Sequence, residues 1–541
     1  MRYSTVIYLA SILTLVVIVI GGVYIGASDD VQRHHQHLER PSEADLGECL
    51  RCSDNEFCTH LPIIAIDTFG QTIPGRPIAF EYGGRVVEAG LEAGVTTAPD
   101  GESEIEVSVR VIDNHGDWSH VTDASAHESM ATMRIRGNSS RFFDKPNYRI
   151  HLTDSLGYNN PLPLLGMNSH HEWALHGPFL DKTLMRNYVW MNIAAEVMGP
   201  DQFVPEVRFF ELILNGEYRG VYVLVETIRV SPERIPLNRH RQGVGVTSYL
   251  ARLDWHTHTP ERKTYTFNTH TLRLEGRNTL EVLYPRLPYQ NDEVLDYVAR
   301  SISIIERLLY SPEIIWYSRI YEQYIDVNSF VNFFIINEFI GNKDLFAGST
   351  FFHKDVRGRL VAGPVWDFNN VMNNFMLDAP YDEFMLADRG WYSRLLACEE
   401  FTNRVIRRWH DLRRGALAEE RLMQYMQDVE DWLGSAIDRN FEVWGYSFDP
   451  FQVNSMQRRR PTYDAVRERA DIYEGMSARA YDNAMREANH EMIREMNPTS
   501  FEEAVAWHRE FTIARGRWLD DYIVTLRQFS HPSRHALWTL Q

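Results

Sequence analysis

Apolar positions alternate with polar ones along the first half of the chain and recur at helical spacing along the second, and one stretch does neither. Val6 to Gly26 carries no charge and includes Leu13, Leu15, Val16, Val17, Ile18, Val19 and Ile20, a run that at helical rise crosses a hydrocarbon core. It reads as a signal anchor or transmembrane helix over residues 1–27. A cleaved signal peptide is the alternative, although its apolar region is typically about 7–15 residues long. Arg2 lies on one side of the run and Asp29 and Asp30 on the other, so the positive-inside rule places the tail inside and the rest of the chain outside the cytoplasm. Residues 28–60 are polar and include His34, His35 and His37; they read as a stalk, with a metal-binding His tract as the other reading.

Leu61–Asp67 alternates and is β-branched, and strand-like runs recur at Ile78–Phe80 and Ile105–Ile112 among Gly-rich turns. Residues 61–130 are therefore expected to form a β-rich leader. Ala131–Arg136 and Lys145–Leu152 predict strands on either side of the loop Gly137-Asn138-Ser139-Ser140-Arg141. A helix is predicted at Lys182–Val197, where Leu184, Tyr188, Met191, Ile193, Ala194 and Val197 recur at helical spacing behind Asp181 as N-cap. Val207–Leu214 and Val221–Val225 follow as strands, joined through the hairpin signal Asn215-Gly216-Glu217. These elements make residues 131–230 one lobe. Residues 231–530 read as a second, helical lobe, with apolar faces on Glu293–Leu309 and Val327–Ile340 and amphipathic helices from Cys398 to Leu526. Within it lies a strand hairpin, Thr350–His353 and Leu360–Val365, inside the segment 342–369. Residues 531–541 are a tail.

With 541 residues, 44% of them hydrophobic and 24% charged, the chain has ordinary globular composition and enough length for two lobes with a core. A net charge of −19 excludes a general nucleic-acid binder, whose affinity would rest on Lys and Arg neutralising phosphates. Cys49, Cys52 and Cys58 cluster while Cys398 is remote. The cluster suits zinc except that no fourth ligand follows at the usual spacing, His60 being only a loose candidate. In an exported segment a disulfide among the three is the simpler reading.

A β-rich lobe followed by a helical lobe is the plan of a protein kinase. Phosphoryl transfer needs a cation on the phosphates, oxygen ligands for a divalent metal and a group that orients the acceptor hydroxyl. Lys145 opens a strand after a polar loop, a position suited to phosphates. The loop around Arg136, Asn138, Ser139, Ser140 and Arg141 offers backbone N–H groups, hydroxyls and guanidinium groups for phosphate oxygens; it also reads as a turn with a glycosylation sequon at Asn138. Asp367 ends a hairpin strand before an aromatic residue, the context of a metal-holding Asp-Phe-Gly aspartate, and Asp344 follows the helix Val327–Ile340. Ser349 stands at the offset from Asp344 at which a kinase catalytic loop carries its metal-binding Asn.

Six segments, in this order, resemble the spore-coat-protein-H-like (CotH) family of atypical protein kinases. They are Arg134-Ile135-Arg136-Gly137-Asn138-Ser139-Ser140, Lys145-Pro146-Asn147-Tyr148-Arg149-Ile150, Asp181-Lys182-Thr183-Leu184-Met185-Arg186-Asn187, Asn215-Gly216-Glu217-Tyr218-Arg219-Gly220-Val221-Tyr222, Asn337-Glu338-Phe339-Ile340-Gly341-Asn342-Lys343-Asp344 and Trp366-Asp367-Phe368. The resemblance implies an α+β, atypical two-lobed protein-kinase-like fold. It also implies ATP with Mg²⁺ or Mn²⁺ as cofactors and Ser/Thr phosphorylation of secreted or surface proteins. Carried over by residue, Lys145 would bind the nucleotide phosphates, Asp344 would be the catalytic carboxylate and Asp367 the metal ligand. Glu226 would sit where a hinge meets adenine, and Arg186 would reach the phosphates or brace the lobe interface.

Ser349 and Asn369 depart from the Asn and Asp that such a family carries at these positions. Both weaken the metal side of the site. Two other readings therefore stand beside the kinase: a surface, adhesion or scaffold protein that keeps the fold with weak or no catalysis, and a transferase that moves the nucleotide part of ATP. Lys145, Asp344 and Asp367 are expected to converge on one cleft between the lobes.

Overall fold

The computed structural model describes residues 33–52, 57–82, 85–88, 94–254, 263–264, 279–286, 289–311, 319–346, 348–374 and 379–530. The run Val6–Gly26 and the tail lie outside them, and no helix among the described residues is long and apolar enough to cross a membrane.

In chain order the strands are β1 (Cys58–Thr59), β2 (Ile63–Asp67), β3 (Ala79–Tyr82), β4 (Arg85–Glu88), β5 (Ile105–Ile112), β6 (Ser119–His120), β7 (His127–Ile135), β8 (Tyr148–Thr153), β9 (Glu172–His176), β10 (Val207–Leu214), β11 (Glu217–Glu226), β12 (Tyr249–Asp254), β13 (Lys263–Thr264), β14 (Thr279–Tyr284), β15 (Thr350–Lys354) and β16 (Leu360–Ala362). Seven of them close a barrel in the order β10-β11-β9-β8-β7-β5-β2. All its ladders are antiparallel except the closing one, where β10 runs parallel to β2 from Glu211↔Ile63 to Leu214↔Ile66. The β-rich leader is thus not a separate region: β2 and β5 complete the same barrel as β7–β11. Alternation explains the filling. Ile105, Val107, Val109 and Val111 of β5 point inward with Ile64, Met133, Ile150, Trp173 and Leu224.

β10 is buried along its whole length, because its outer face is covered as well. Val207 and Phe209 pack there with Val221 and Val223 of β11 on the helix Arg186–Met198. A strand covered on both faces reads as a continuous apolar run. The hairpin turn lies where the sequence puts it, with positive φ at Asn215 (54°) and Gly216 (79°), as a two-residue turn requires. The helix begins later than predicted, at Arg186, because Leu184 is left-handed with φ of 62°. Asp181 does not cap a first turn; its carboxylate accepts from Thr183 N and Arg186 N across the entry loop.

The second lobe is not purely helical. It contains a five-stranded sheet in the order β13-β14-β12-β15-β16, packed with the helix Val327–Phe339. That helix buries Phe330, Phe333, Phe334, Ile335, Ile336 and Phe339, apolar all round as an interior helix must be.

Residues 33–52 correct the expectation of a stalk, because they lie against the body. Arg33 donates to Asn192 Oδ1 at 2.9 Å and Val204 O at 2.9 Å. Gln36 Nε2 donates to Phe209 O at 3.0 Å, and buried His37 Nδ1 meets Tyr188 OH at 2.9 Å. Polarity here satisfies buried partners instead of solvating a linker.

Candidate nucleotide site

A cavity of about 460 Å³ opens between the end of the barrel and the second sheet, within the size range of small-molecule sites. Its barrel side is the turn after β7. Gly137 holds φ of 113°, and a Cβ there would lie 1.9 Å from Ser140 Oγ, so only glycine permits the turn. Arg141 clamps it from behind, donating through Nη1 to Gly75 O at 2.7 Å and Ile135 O at 2.9 Å. Arg136, Asn138, Ser139 and Ser140 are thereby presented to the cavity.

The opposite wall is the segment after β16. Asp367 adopts a left-handed conformation (φ 65°, ψ 60°), uncommon for a non-glycine residue and characteristic of functional turns when the surroundings enforce it. The enforcing contact is Phe368 N donating to Asn187 Oδ1 at 2.8 Å. Asn187 also lines the cavity, as do Ser349, Trp366, Asn369 and Asp254.

The electrostatics single out one cation and one acid. Arg134 pairs with Glu104 at 3.0 Å, and Arg252 pairs with Glu281 at 2.6 Å and Asp254 at 3.1 Å. Arg136 makes no side-chain hydrogen bond to any described residue; its guanidinium lies over the Trp366 ring, 5.2 Å from the centroid. Burial pulls it down to about 10, while Asp367 pulls the other way. Solvent reaches Asp367 through the cavity, yet protein atoms surround it otherwise. Burial pushes its carboxyl up to about 6; Arg136 opposes that rise, and Asp344 and Asp254 add to it. Asp344 is itself raised by burial, against Arg389 and with Asp254. His176, also lining the cavity, is held neutral by burial, down to about 3.

The predicted residues are therefore not all in one place. Arg136, Asn138, Ser139, Ser140, Ser349, Asp367 and Asn369 share the cavity. Asp344 is not in its lining, but its charge reaches Asp367. Lys145 corrects the expectation that it faces the phosphates: it is 1% exposed, and its ammonium donates to Val221 O and Asn440 Oδ1, each at 2.6 Å, outside the lining. Glu226 is buried and also outside the lining; one oxygen accepts from Glu206 N at 2.9 Å, the other lies 3.8 Å from Arg234, and burial raises the carboxyl to about 7. Arg186 is buried and likewise outside the lining; it pairs with Asp181 of its own entry loop at 2.5 Å.

Asp254 is a further acid in the lining that the sequence pattern does not single out. It ends β12, and the β12–β15 register pairs Leu253 with Thr350, so Asp254 lies opposite Ser349. An acid at the end of an apolar strand was the available signal, but its meaning depends on that non-local pairing.

A divalent ion fits this donor set in kind. Oxygen donors predominate, as a hard cation needs, and Asn369 Oδ1 is buried without a hydrogen-bond partner. The carboxylates are not pre-gathered. Among the described residues, the only group of three or more metal-capable side chains with ligand atoms within 4.8 Å is elsewhere.

A family model described as CotH kinase protein matches residues 133–519. No curated protein matches the chain.

Proposed function

Since the chain belongs to the CotH kinase family, we propose that it is an ATP-dependent kinase, requiring Mg²⁺ or Mn²⁺, that phosphorylates Ser or Thr of secreted or surface proteins. On this reading the catalytic lobes lie outside the cytoplasm, tethered through Val6–Gly26. The observation that carries the proposal is Arg136 and Asp367 on facing walls of one cavity, beside a glycine-dependent turn.

Arg136 and the turn Asn138–Ser140 would take the phosphates, since a guanidinium and hydroxyls suit phosphate oxygens. Asp367, Asn369 and Ser349 would hold the metal, which when bound supplies neutralisation of charge on the phosphate oxygens. Asp344 would orient the acceptor hydroxyl and take its proton; a carboxylate raised by burial is a better base than a solvated one. Lys145 and Arg186 would support the frame, holding Val221 with Asn440 and the entry to the helix Arg186–Met198.

A second reading, a surface or scaffold protein with weak or no catalysis, draws support from Ser349, Asn369 and the dispersed carboxylates. Intact-mass measurement of an acceptor protein incubated with the full chain, ATP and Mg²⁺ separates the readings. A phosphoryl adduct supports the kinase, a nucleotidyl adduct supports the other transferase, and an unmodified acceptor favours the scaffold.

A further inference from the structure

Cys49, Cys52 and Cys58 acquire a fourth companion that spacing along the chain conceals. β1 pairs with β6 so that Cys58 lies directly opposite His120. Residues 49–52 bring the other two thiols to the same imidazole. His120 Nε2 is 3.4 Å from Cys49 Sγ and 3.1 Å from Cys52 Sγ. All four ligand atoms lie within 4.8 Å of one another, and the three cysteines are free.

We propose that Cys49, Cys52, Cys58 and His120 form a closed tetrahedral zinc site. Zinc–sulfur and zinc–nitrogen bonds of about 2.3 and 2.0–2.1 Å put tetrahedral ligand atoms roughly 3.6–3.8 Å apart, inside the spread seen here. The residues behind the ligands are also in place. His120 Nδ1 is 3.3 Å from Asp123 Oδ2, the carboxylate–histidine arrangement that fixes the tautomer and turns Nε2 toward a metal. Asp123 is held in turn by Asn114 Nδ2 at 2.6 Å, His120 N at 2.9 Å and Arg51 at 2.9 Å. Three thiols cannot all be satisfied by a disulfide, which would leave one sulfur and the imidazole over. Zinc uses all four groups, each thiol releasing its proton to solvent on binding.

Four protein ligands leave no open position, so the site is structural. Its place in the fold says what it secures. Directly after β1, His60 bonds Trp432 O at 2.6 Å and Glu43 at 3.2 Å, and Glu43 accepts from Ser435 N at 3.0 Å. The site thus pins the segment that straps the barrel to the helical lobe.

The test is metal content of the full chain, purified without chelator, by elemental analysis and native mass spectrometry, followed by exchange into Co²⁺. The expected result is stoichiometric zinc, thiolate-to-cobalt charge-transfer absorption, and three thiols that resist alkylation until a chelator is added. Cys52→Ser and His120→Ala should lose the metal, and Asp123→Asn should weaken Zn²⁺ affinity about 10–100-fold. Should the ligand variants fail to fold, Asp123→Asn and alkylation of the native chain still decide. A disulfide among the three cysteines, metal well below stoichiometry, or thiols alkylated equally with and without chelator would overturn the proposal.

Discussion

Removing the Arg136 guanidinium tests the electrostatic core of the proposed nucleotide site. Burial pushes the Asp367 carboxyl up to about 6; Arg136 opposes the rise, and Asp344 and Asp254 add to it. In Arg136→Ala the opposing charge disappears and every remaining influence is upward. A nearby opposite charge shifts a carboxylate by about 1–3 pH units. Since water reaches Asp367 through the cavity, screening favours the low end, about one unit or roughly 1.4 kcal/mol. The metal requires the ionised carboxylate, so metal-dependent nucleotide binding should rise with pH through the Asp367 midpoint. Titration calorimetry with ATP and Mn²⁺ from pH 5 to 9 reads both midpoints. Arg136→Lys, which keeps the charge and loses the planar contact with Trp366, should hold the midpoint near that of the wild type. An Arg136→Ala midpoint that does not move, or that moves to lower pH, refutes the reasoning.

Three further outcomes are expected. Lys145→Met should cost about 1–3 kcal/mol by denaturant unfolding, through Val221 O and Asn440 Oδ1 losing a donor, and leave ATP affinity within about twofold; a phosphate-binding lysine would show the opposite. Glu338→Ala should cost roughly 3–5 kcal/mol by calorimetry, because it leaves fully buried Arg515 without its carboxylate and Met385 N and Leu386 N without an acceptor. Ser349→Asn combined with Asn369→Asp should raise kcat by about 10–100-fold with little change in nucleotide affinity, since stronger metal ligation acts mainly on charge developing in transfer; unchanged kcat would remove those two positions from the metal.

Local features were legible in the sequence, and features set by non-local pairing were not. The Asn215-Gly216 turn follows from backbone preferences of two residues, and the alternation of β5 and β7 follows from one buried face. Asp367 was visible because an aromatic residue follows it a few residues past a strand, although that strand ends at Ala362 and not at Val365 as its pattern predicts. Barrel closure was not visible, because the parallel β2–β10 pairing joins residues far apart in the chain. The same limit hid Asp254, which the β12–β15 register sets opposite Ser349, and His120, which lies opposite Cys58 across β1–β6. Lys145 misled for a different reason: a lysine between a polar loop and a strand looks alike whether its ammonium turns to a cavity or inward, and only the approach of Asn440 from the helix Ser435–Trp444 decides it.

Phosphoryl transfer itself is read by label from γ-labelled ATP, with Mg²⁺ or Mn²⁺, on the chain and on an acceptor protein, comparing wild type with Asp367→Asn after unfolding curves confirm equal folding. Label is expected on Ser or Thr with wild type and none with the variant. Equal labelling by both proteins, or binding of ATP by both with no transfer under either metal, would contradict the kinase reading.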